Sequence, residues 1–225
     1  MADFLLFFEK FHDYDKIDID KGNTPPEIYK ICSCIRNTFC ISYGIKKKNN
    51  LFLYFQKDKA LIKFSGNKLR YLGPDERNQA LLLKKAFDKL NNEILFKSND
   101  WVESTPGIYV KKLNNAHSIV SFLNKLNLNK ITFISDLISP FNFGFLYHYF
   151  DVPNIKKFKQ VKNLKEQFFI IPSNKTTMIN LLRNIVQSYP SMLEFITIAT
   201  LDKIKTISDK ILYINFQIDQ IRTLK

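Results

Sequence analysis

The sequence is short of the residues that build the commonest catalytic motifs. Only six glycines occur among its 225 residues, and it contains no glycine-rich phosphate loop, zincin helix or nucleophile elbow. P-loops and dinucleotide-binding turns need glycine where the backbone approaches a phosphate. The scarcity of glycine therefore argues against P-loop chemistry and against a standard dinucleotide fold.

Cysteine and histidine are also few. The three cysteines lie in one apolar segment between residues 32 and 40, and their odd number argues against a disulfide framework. A zinc site would need a fourth ligand, but the histidines are far apart in sequence, at His12, His117 and His148. We therefore expect no metal site and interpret the cysteines as small buried side chains.

Long apolar runs are missing as well. Runs such as residues 4–8 and 168–171 fall far short of the roughly 20 residues that a membrane-spanning helix needs. Residues 1–4 carry an acid where a signal peptide has a basic stretch. We expect a cytoplasmic protein with no membrane segment.

Positive charge is what the sequence has in excess. Lys and Arg number 34 against 21 Asp and Glu, a formal charge of +13, which is the balance expected of a protein that neutralises phosphates. A coding sequence rich in A and T, which favours Lys, Asn and Ile codons, would give the same excess without any nucleic acid. Charge therefore favours an anionic partner but does not identify it.

Hydrophobic periodicity predicts alternating strands and helices. The predicted strands are residues 3–8, 51–55, 60–64, 108–111, 131–135, 168–171, 195–198 and 211–216, with residues 69–72 prolonging the sheet. The predicted helices are residues 27–41, 73–90, 116–126 and 178–187. This alternation predicts an α/β fold with a mostly parallel sheet, in a single domain of residues 1–225.

Two segments fit this pattern less well. Residues 13–23 are acidic and polar and are predicted to be a loop. Residues 139–160 form an irregular insertion in which six aromatic rings precede three lysines. Such a mixture either stacks on bases and holds phosphates or is a packed insertion whose rings are buried.

Two motifs carry a resemblance to a known family, residues 73–78 (GPDERN) and residues 101–112 (WVESTPGIYVKK). Alone, the first is an ordinary helix start and the second is a turn that enters a strand. Together, in this order and at this separation, they resemble the archaeal tRNA pseudouridine N1-methyltransferases of the TrmY family, in the SPOUT superfamily. The resemblance extends back through the cysteine-containing helix, so it covers roughly residues 28–112.

The resemblance implies a SPOUT-like domain whose C-terminal part is tied in a trefoil knot. S-adenosylmethionine would bind in the knot loops, and a second copy of the chain would complete the active site. The implied reaction transfers the sulfonium methyl group to N1 of a pseudouridine, at position 54 in the T-loop of tRNA, with no metal. A catalytically inactive RNA-binding relative is the alternative.

The resemblance also implies roles for particular residues. Asp75 and Glu76 are candidates to help the N1 proton depart, and Arg77 to orient one of them or to grip a phosphate; the structural alternative is an intrahelical pair at a helix start. The expected cofactor-binding residues are Ile134, Pro172, Thr200, Leu201, Asp202, Lys203, Ile204 and Lys205. The expected RNA-binding residues are Lys46, Lys47, Lys48, Lys111 and Lys112.

The C-terminal half departs from the family pattern. Relatives carry a Gly-Asp-His turn after a buried strand, where this chain has Pro172 and Ser173. Proline fixes its own φ and has no N–H to offer. We therefore expect S-adenosylmethionine to bind about ten- to a hundredfold more weakly than to a typical relative, because one lost buried hydrogen bond costs that much.

Overall fold

The computed structural model describes residues 2–41, 44–92, 100–113, 119–136 and 155–223. The strands are β1 (Asp3–Phe8), β2 (Cys40–Ile41), β3 (Gly44–Ile45), β4 (Asn50–Phe55), β5 (Ala60–Ser65), β6 (Val102–Thr105), β7 (Ile108–Lys112), β8 (Ile131–Ser135), β9 (Ile155–Lys157), β10 (Phe168–Ile171) and β11 (Ile196–Thr200). The helices are α1 (Lys16–Asp20), α2 (Pro26–Phe39), α3 (Glu76–Leu90), α4 (Ile119–Lys125), α5 (Lys175–Ser188) and α6 (Ile207–Thr223).

Nine of these strands form one sheet in the order β6-β7-β5-β4-β1-β10-β8-β11-β9. The six strands from β4 to β9 pair in parallel, and β5, β7 and β6 add an antiparallel extension. The mostly parallel α/β architecture predicted from periodicity is therefore confirmed.

Helices cover the two faces of the sheet and enclose two cores. The first core contains side chains of α2, α3 and α6. It also contains those side chains of β1, β4 and β5 that lie on the same face of the sheet as these helices. The second contains α4 and α5. Parallel strands buried on both faces become continuously apolar, as β8 and β10 are. Among the residues that the structure describes, no helix is long and apolar enough to cross a membrane.

Most predicted elements lie within a few residues of the observed ones. The strands predicted at residues 3–8, 51–55, 60–64, 108–111, 131–135, 168–171 and 195–198 and the four predicted helices are confirmed, although residues 116–118 lie outside the described residues. Of the predicted insertion, residues 139–154 also lie outside them, and residues 155–157 form β9.

Four predictions were wrong. Residues 211–216 belong to α6 instead of a strand, because Ile211, Ile214 and Ile218 are buried at helical spacing. Residues 69–72 form no strand. The acidic segment 13–23, predicted to be a loop, contains the short helix α1. The segment before Ile108, predicted to be a turn that enters a strand, contains the strand β6. Short apolar or polar runs are compatible with both helical and strand periodicity. Contacts with neighbouring elements therefore decide which structure they form.

The sheet has a topological switch point between β1 and β10, because the connections that follow these two strands run in opposite directions. After β1 the chain passes through α2 to β4 on one side, and after β10 it passes through α5 to β11 on the other. α2 and α5 pack on opposite faces. In open α/β sheets, such a reversal leaves a crevice outside the carboxyl ends of the two strands, where ligands bind.

Candidate active site

A cavity of about 510 Å³ lies at this switch point. Its volume falls within the range of roughly 300–1,000 Å³ that is usual for small-molecule sites. Phe8 and Glu9 at the end of β1 form one wall, and Ser173 after β10 forms another. The first turns of α2 and the start of α6 complete the lining with Glu27, Tyr29, Lys30, Ser33, Lys205, Thr206, Ile207 and Ser208.

Local sequence places these walls. The apolar run of β1 ends at Glu9, and Pro26 occupies the first position of α2, where proline has the φ that a helix needs and where its missing N–H costs nothing. Glu27 follows in the first turn of α2, where the partial positive charge of the helix N-terminus favours a carboxylate. The Glu27 carboxylate is thereby held at a cavity whose lining also includes Lys30 and Lys205.

A smaller cleft of about 140 Å³ adjoins the cavity at the ends of β8 and β10. Ser173, Lys205 and Ile207 line both. The remaining lining comes from the end of β8, the start of α5 and Lys210 of α6, and includes Ile134, Asp136 and Pro172. The two spaces together follow the carboxyl edge of the parallel strands.

An ion pair between a buried lysine and a half-exposed aspartate fixes one wall of the smaller cleft. The Lys210 side chain in α6 is only 5% exposed and pairs with the Asp136 carboxylate just after β8. Beside it, the Leu201 N–H donates to the Ser135 carbonyl oxygen over 3.0 Å. A buried ammonium group is stable only when it is paired, so this contact holds α6 and the ends of β8 and β11 together.

The expected cofactor residues are only partly gathered here. Ile134, Pro172 and Lys205 line the smaller cleft. Thr200 ends β11 and Leu201 is buried; together with Asp202, Lys203 and Ile204 they form the connection into α6 without lining either space. The sequence analysis did not identify three of the lining residues, Glu27, Asp136 and Lys210, as site residues. Asp136 could have been found, because it directly follows a buried parallel strand.

The candidate catalytic residues lie elsewhere in the protomer. Asp75 is the N-cap of α3, and its carboxylate accepts the Asn78 N–H over 2.7 Å. The Arg77 guanidinium pairs with Asp20 over 2.7 Å. α2 packs against both α3 and α6, and the cavity lies on the α6 side. A helix is about 10 Å across with its side chains, so α2 separates these residues from the cavity.

Packing explains the glycine of the second family-like motif and constrains that of the first only weakly. A Cβ on Gly73 would lie 2.7 Å from the Asp75 carboxylate, and a Cβ on Gly107 would lie 2.5 Å from the Leu69 backbone nitrogen. Gly107 also has a φ of +86°, which side chains strongly disfavour. The fold therefore requires Gly107, whereas Gly73 meets only the end of a side chain, and neither glycine by itself indicates catalysis.

Two of the three cysteines are buried, as the sequence indicates, whereas Cys40 is half-buried. Cys32 and Cys34 are buried in the first core, and burial, with a smaller contribution from the Glu76 charge, raises the pKa of Cys32 to about 12. Burial likewise raises the pKa of Cys34. No group of three or more potential metal ligands occurs within the described ranges, and His117 and His148 lie outside those ranges.

The expected RNA-binding lysines do not form one cluster. Lys46, Lys47 and Lys48 lie just before β4, at the amino end of the parallel strands, and Lys46 pairs with Asp219 of α6. Lys111 and Lys112 end β7, which pairs with the start of β5 beside the carboxyl end of β4. Because they are adjacent on a strand, these two project from opposite faces of the sheet.

Comparison with known proteins gives matches over about half of the chain or less. Residues 26–130 match a family described as "Putative SAM-dependent RNA methyltransferase". The chain is 35% identical over 98 residues to the tRNA (pseudouridine(54)-N(1))-methyltransferase of Methanocaldococcus jannaschii, covering 42% of this chain and 48% of that protein. It is 35% identical over 116 residues to the protein of the same name in Methanococcus maripaludis strain C5, covering 50% and 56%.

The Haloferax volcanii protein of the same name is 31% identical over 83 residues, covering 37% of this chain and 40% of that protein. The chain thus spans about half the length of the curated relatives it matches. The family match begins with α2 and stops one residue before β8. It includes Glu27 and residues 73–112 but none of the residues at the ends of β8, β10 and β11.

Proposed function

We propose, from the match of residues 26–130 to a family described as "Putative SAM-dependent RNA methyltransferase", that this chain is an S-adenosylmethionine-dependent tRNA methyltransferase of the TrmY type. The proposed substrate is a pseudouridine in the T-loop, at position 54, and the methyl group goes to N1. The family match carries the proposal, since the matching relatives are named for this reaction. The cavity at the switch point supports it with a suitable place for the reaction.

The residues at the carboxyl edge fit S-adenosylmethionine. The smaller cleft, about 140 Å³, is too small for the whole cofactor, but it opens beside about 510 Å³ of further space. Ile134 and Pro172 offer apolar contact, and Lys205 and Asp136 offer opposite charges to the carboxylate and ammonium of an amino acid. Thr200 to Ile204 would shape the loop around it. When bound, the cofactor supplies an electrophilic methyl group on a sulfonium sulfur.

Alignment and deprotonation of the acceptor base are the tasks left to the chain's own side chains. The walls of the larger cavity can hold a planar base and exclude water, which supplies alignment. We assign the N1 proton to the Glu27 carboxylate, because it lines this cavity and a positioned carboxylate is a suitable general base. Asp75, Glu76 and Arg77 could act here only if a second subunit brought them to the cavity.

We further propose a homodimer and a knotted C-terminal half, as in the SPOUT superfamily. Leu212 and Phe216 of α6 are each 53% exposed, and Tyr29 of α2 is 49% exposed. The first two lie four residues apart and therefore share one helix face. An exposed apolar face of this kind supports association with a second copy.

An inactive RNA-binding relative is the second candidate. It is favoured by the end of the family match at residue 130 and by Pro172 in the wall of the smaller cleft. In that case the basic chain would bind tRNA without transferring a methyl group.

Calorimetric titration with S-adenosylmethionine separates the two candidates. We expect wild type to bind and Ser173→Trp to lose binding, because Ser173 is exposed and lines both spaces. Ser188→Trp, at the exposed C-terminal end of α5, is the matched control and should bind as wild type does. Absence of heat from wild type would leave only the inactive relative.

A further inference from the structure

The antiparallel extension carries three lysines on one face of the sheet. Strand alternation puts Lys63 of β5 and Tyr109 and Lys111 of β7 on the face opposite to α3. Lys63 is directly opposite Tyr109, so Lys63 and Lys111 are diagonal neighbours, about 7–8 Å apart. Lys68, from the turn after β5, reaches the same face. All four side chains are partly or fully exposed.

Each of these lysines lies over an aromatic ring. The Lys63 ammonium is 5.5 Å from the Phe52 ring centre, that of Lys68 is 5.5 Å from Tyr109, and that of Lys111 is 5.9 Å from Trp101. Ammonium groups within about 6 Å of a ring centre are attracted to the ring face. The rings therefore restrain three otherwise flexible cations near the surface.

Among the described residues, these cations lie outside the ion pairs of the surface. Within the described part of the chain, none of the three lysines forms an ion pair, whereas Lys16, Lys84 and Lys130 do. Burial lowers the pKa of Lys63, and the charge of Lys68 lowers it further, although Asp3 opposes this. Burial and the charge of Lys125 lower the pKa of Lys111, against an opposing contribution from Asp100. Burial is thus the main cause of the lowered pKa of both lysines, and at Lys63 the attraction of Asp3 exceeds the repulsion of Lys68.

We propose that this face is an RNA-binding surface, on which Lys63, Lys68 and Lys111 contact phosphates of one single-stranded or looped segment while Tyr109 packs against a base or ribose. Restrained cations beside the partly exposed rings of Tyr109 and Trp101 suit RNA, because the cations hold phosphates and an accessible ring can stack on an unpaired base. The Phe52 ring is buried and only restrains Lys63. The surface differs from the expected Lys46–Lys48 group, which lies at the amino end of the sheet. The inference rests on the proposed function only in taking RNA as the partner.

Fluorescence anisotropy over a salt series tests the surface, with labelled tRNA and a labelled single-stranded RNA oligonucleotide as probes. Each phosphate contact to a single strand contributes about 0.7 to the slope of log affinity against log salt. The triple variant Lys63→Gln, Lys68→Gln, Lys111→Gln should therefore lose about 2 from the slope for the oligonucleotide. The control Lys16→Gln, Lys84→Gln, Lys130→Gln removes the same charge from ion-paired positions and should keep most of the slope.

A single variant provides a test that does not depend on the triple variant folding correctly. Lys68 is exposed, so Lys68→Gln leaves the core untouched and should lower the slope by about 0.7. If the test and control triple variants show the same salt slope while wild type still binds tRNA, the proposed RNA-binding surface is wrong and the proposed function is unaffected. Equal binding of polyglutamate and of the oligonucleotide, lost together in the variants, would overturn RNA as its partner. No tRNA binding by wild type would overturn both proposals.

Discussion

Asp75 has a structural task that its contacts define. Its carboxylate caps α3 through the Asn78 N–H, and loss of such a cap typically costs about 1 kcal/mol. Asp75→Ala should lower the free energy of unfolding by about that amount in urea, whereas Asp75→Asn should not, because asparagine caps equally well. An unchanged stability for Asp75→Ala would show that the cap contributes nothing.

The same Asp75→Asn variant also tests catalysis. Methyl transfer should be retained in Asp75→Asn, because α2 separates this residue from the cavity within one protomer. It should fall by about 10²- to 10⁴-fold in Glu27→Gln, the usual cost of removing a general base. The opposite pattern would mean that Asp75 acts across a subunit interface and that Glu27 is a bystander.

Substitution of Pro172 tests whether one missing backbone N–H weakens the binding of S-adenosylmethionine. Pro172 is buried directly after β10 and lines the smaller cleft. Pro172→Gly restores an N–H donor, and a recovered hydrogen bond should improve the affinity for S-adenosylmethionine about tenfold. Pro190→Gly, at the exposed position after α5, is the control and should leave the affinity unchanged. Equal calorimetric affinities for wild type and both variants would exclude Pro172 as the cause of weak binding.

At the scale of elements, α6 depends on a buried amide network. The Asn215 amide donates to the Asn37 carbonyl oxygen over 2.7 Å, and its oxygen accepts from the Asn49 amide over 3.1 Å. Asn215→Ala leaves these partners unsatisfied, each at a cost of about 1–3 kcal/mol. The variant should therefore unfold at lower urea concentration. A loss no larger than that of the exposed variant Gln220→Ala would show that the network does not hold α6.

The helix α6 also shows what periodicity leaves undecided. Residues 211–216 are apolar enough for a strand, and only contact with α2 selects the helix. β8 and β10, by contrast, are short β-rich runs with few alternatives, and their predicted bounds match the structure. β6 was missed because its register with β7 is irregular between Glu103 and Thr105, and no sequence pattern marks such a pairing.

The candidate site was harder to predict than the fold, for a physical reason. Its walls come from the ends of β1, β8 and β10 and the starts of α2 and α6, which are far apart in sequence and meet only through the strand order. Glu27 resembles any first-turn acid, and Lys210 resembles any lysine of an exposed helix face, until burial and the Asp136 contact are seen. Residue type alone carries no signal for either.

At the scale of the whole molecule, the exposed face of α6 predicts a dimer. Wild type should have twice the chain mass of 26.5 kDa by light scattering at micromolar concentration. Leu212→Lys with Phe216→Lys should reduce this to the single-chain mass, because two charges would be buried in the interface. Ile17→Lys, an exposed apolar residue of α1, should leave the dimer intact. A single-chain mass for wild type would contradict the proposed homodimer.

The most direct test of the proposed reaction is product analysis after incubation with S-adenosylmethionine and two tRNA transcripts, one with pseudouridine and one with uridine at position 54. N1 of uridine forms the glycosidic bond and cannot accept a methyl group. The proposed reaction therefore gives an N1-methylated nucleoside, detected by mass spectrometry, from the pseudouridine transcript alone. Methylation of both transcripts, or of neither, would contradict pseudouridine N1-methyltransferase activity.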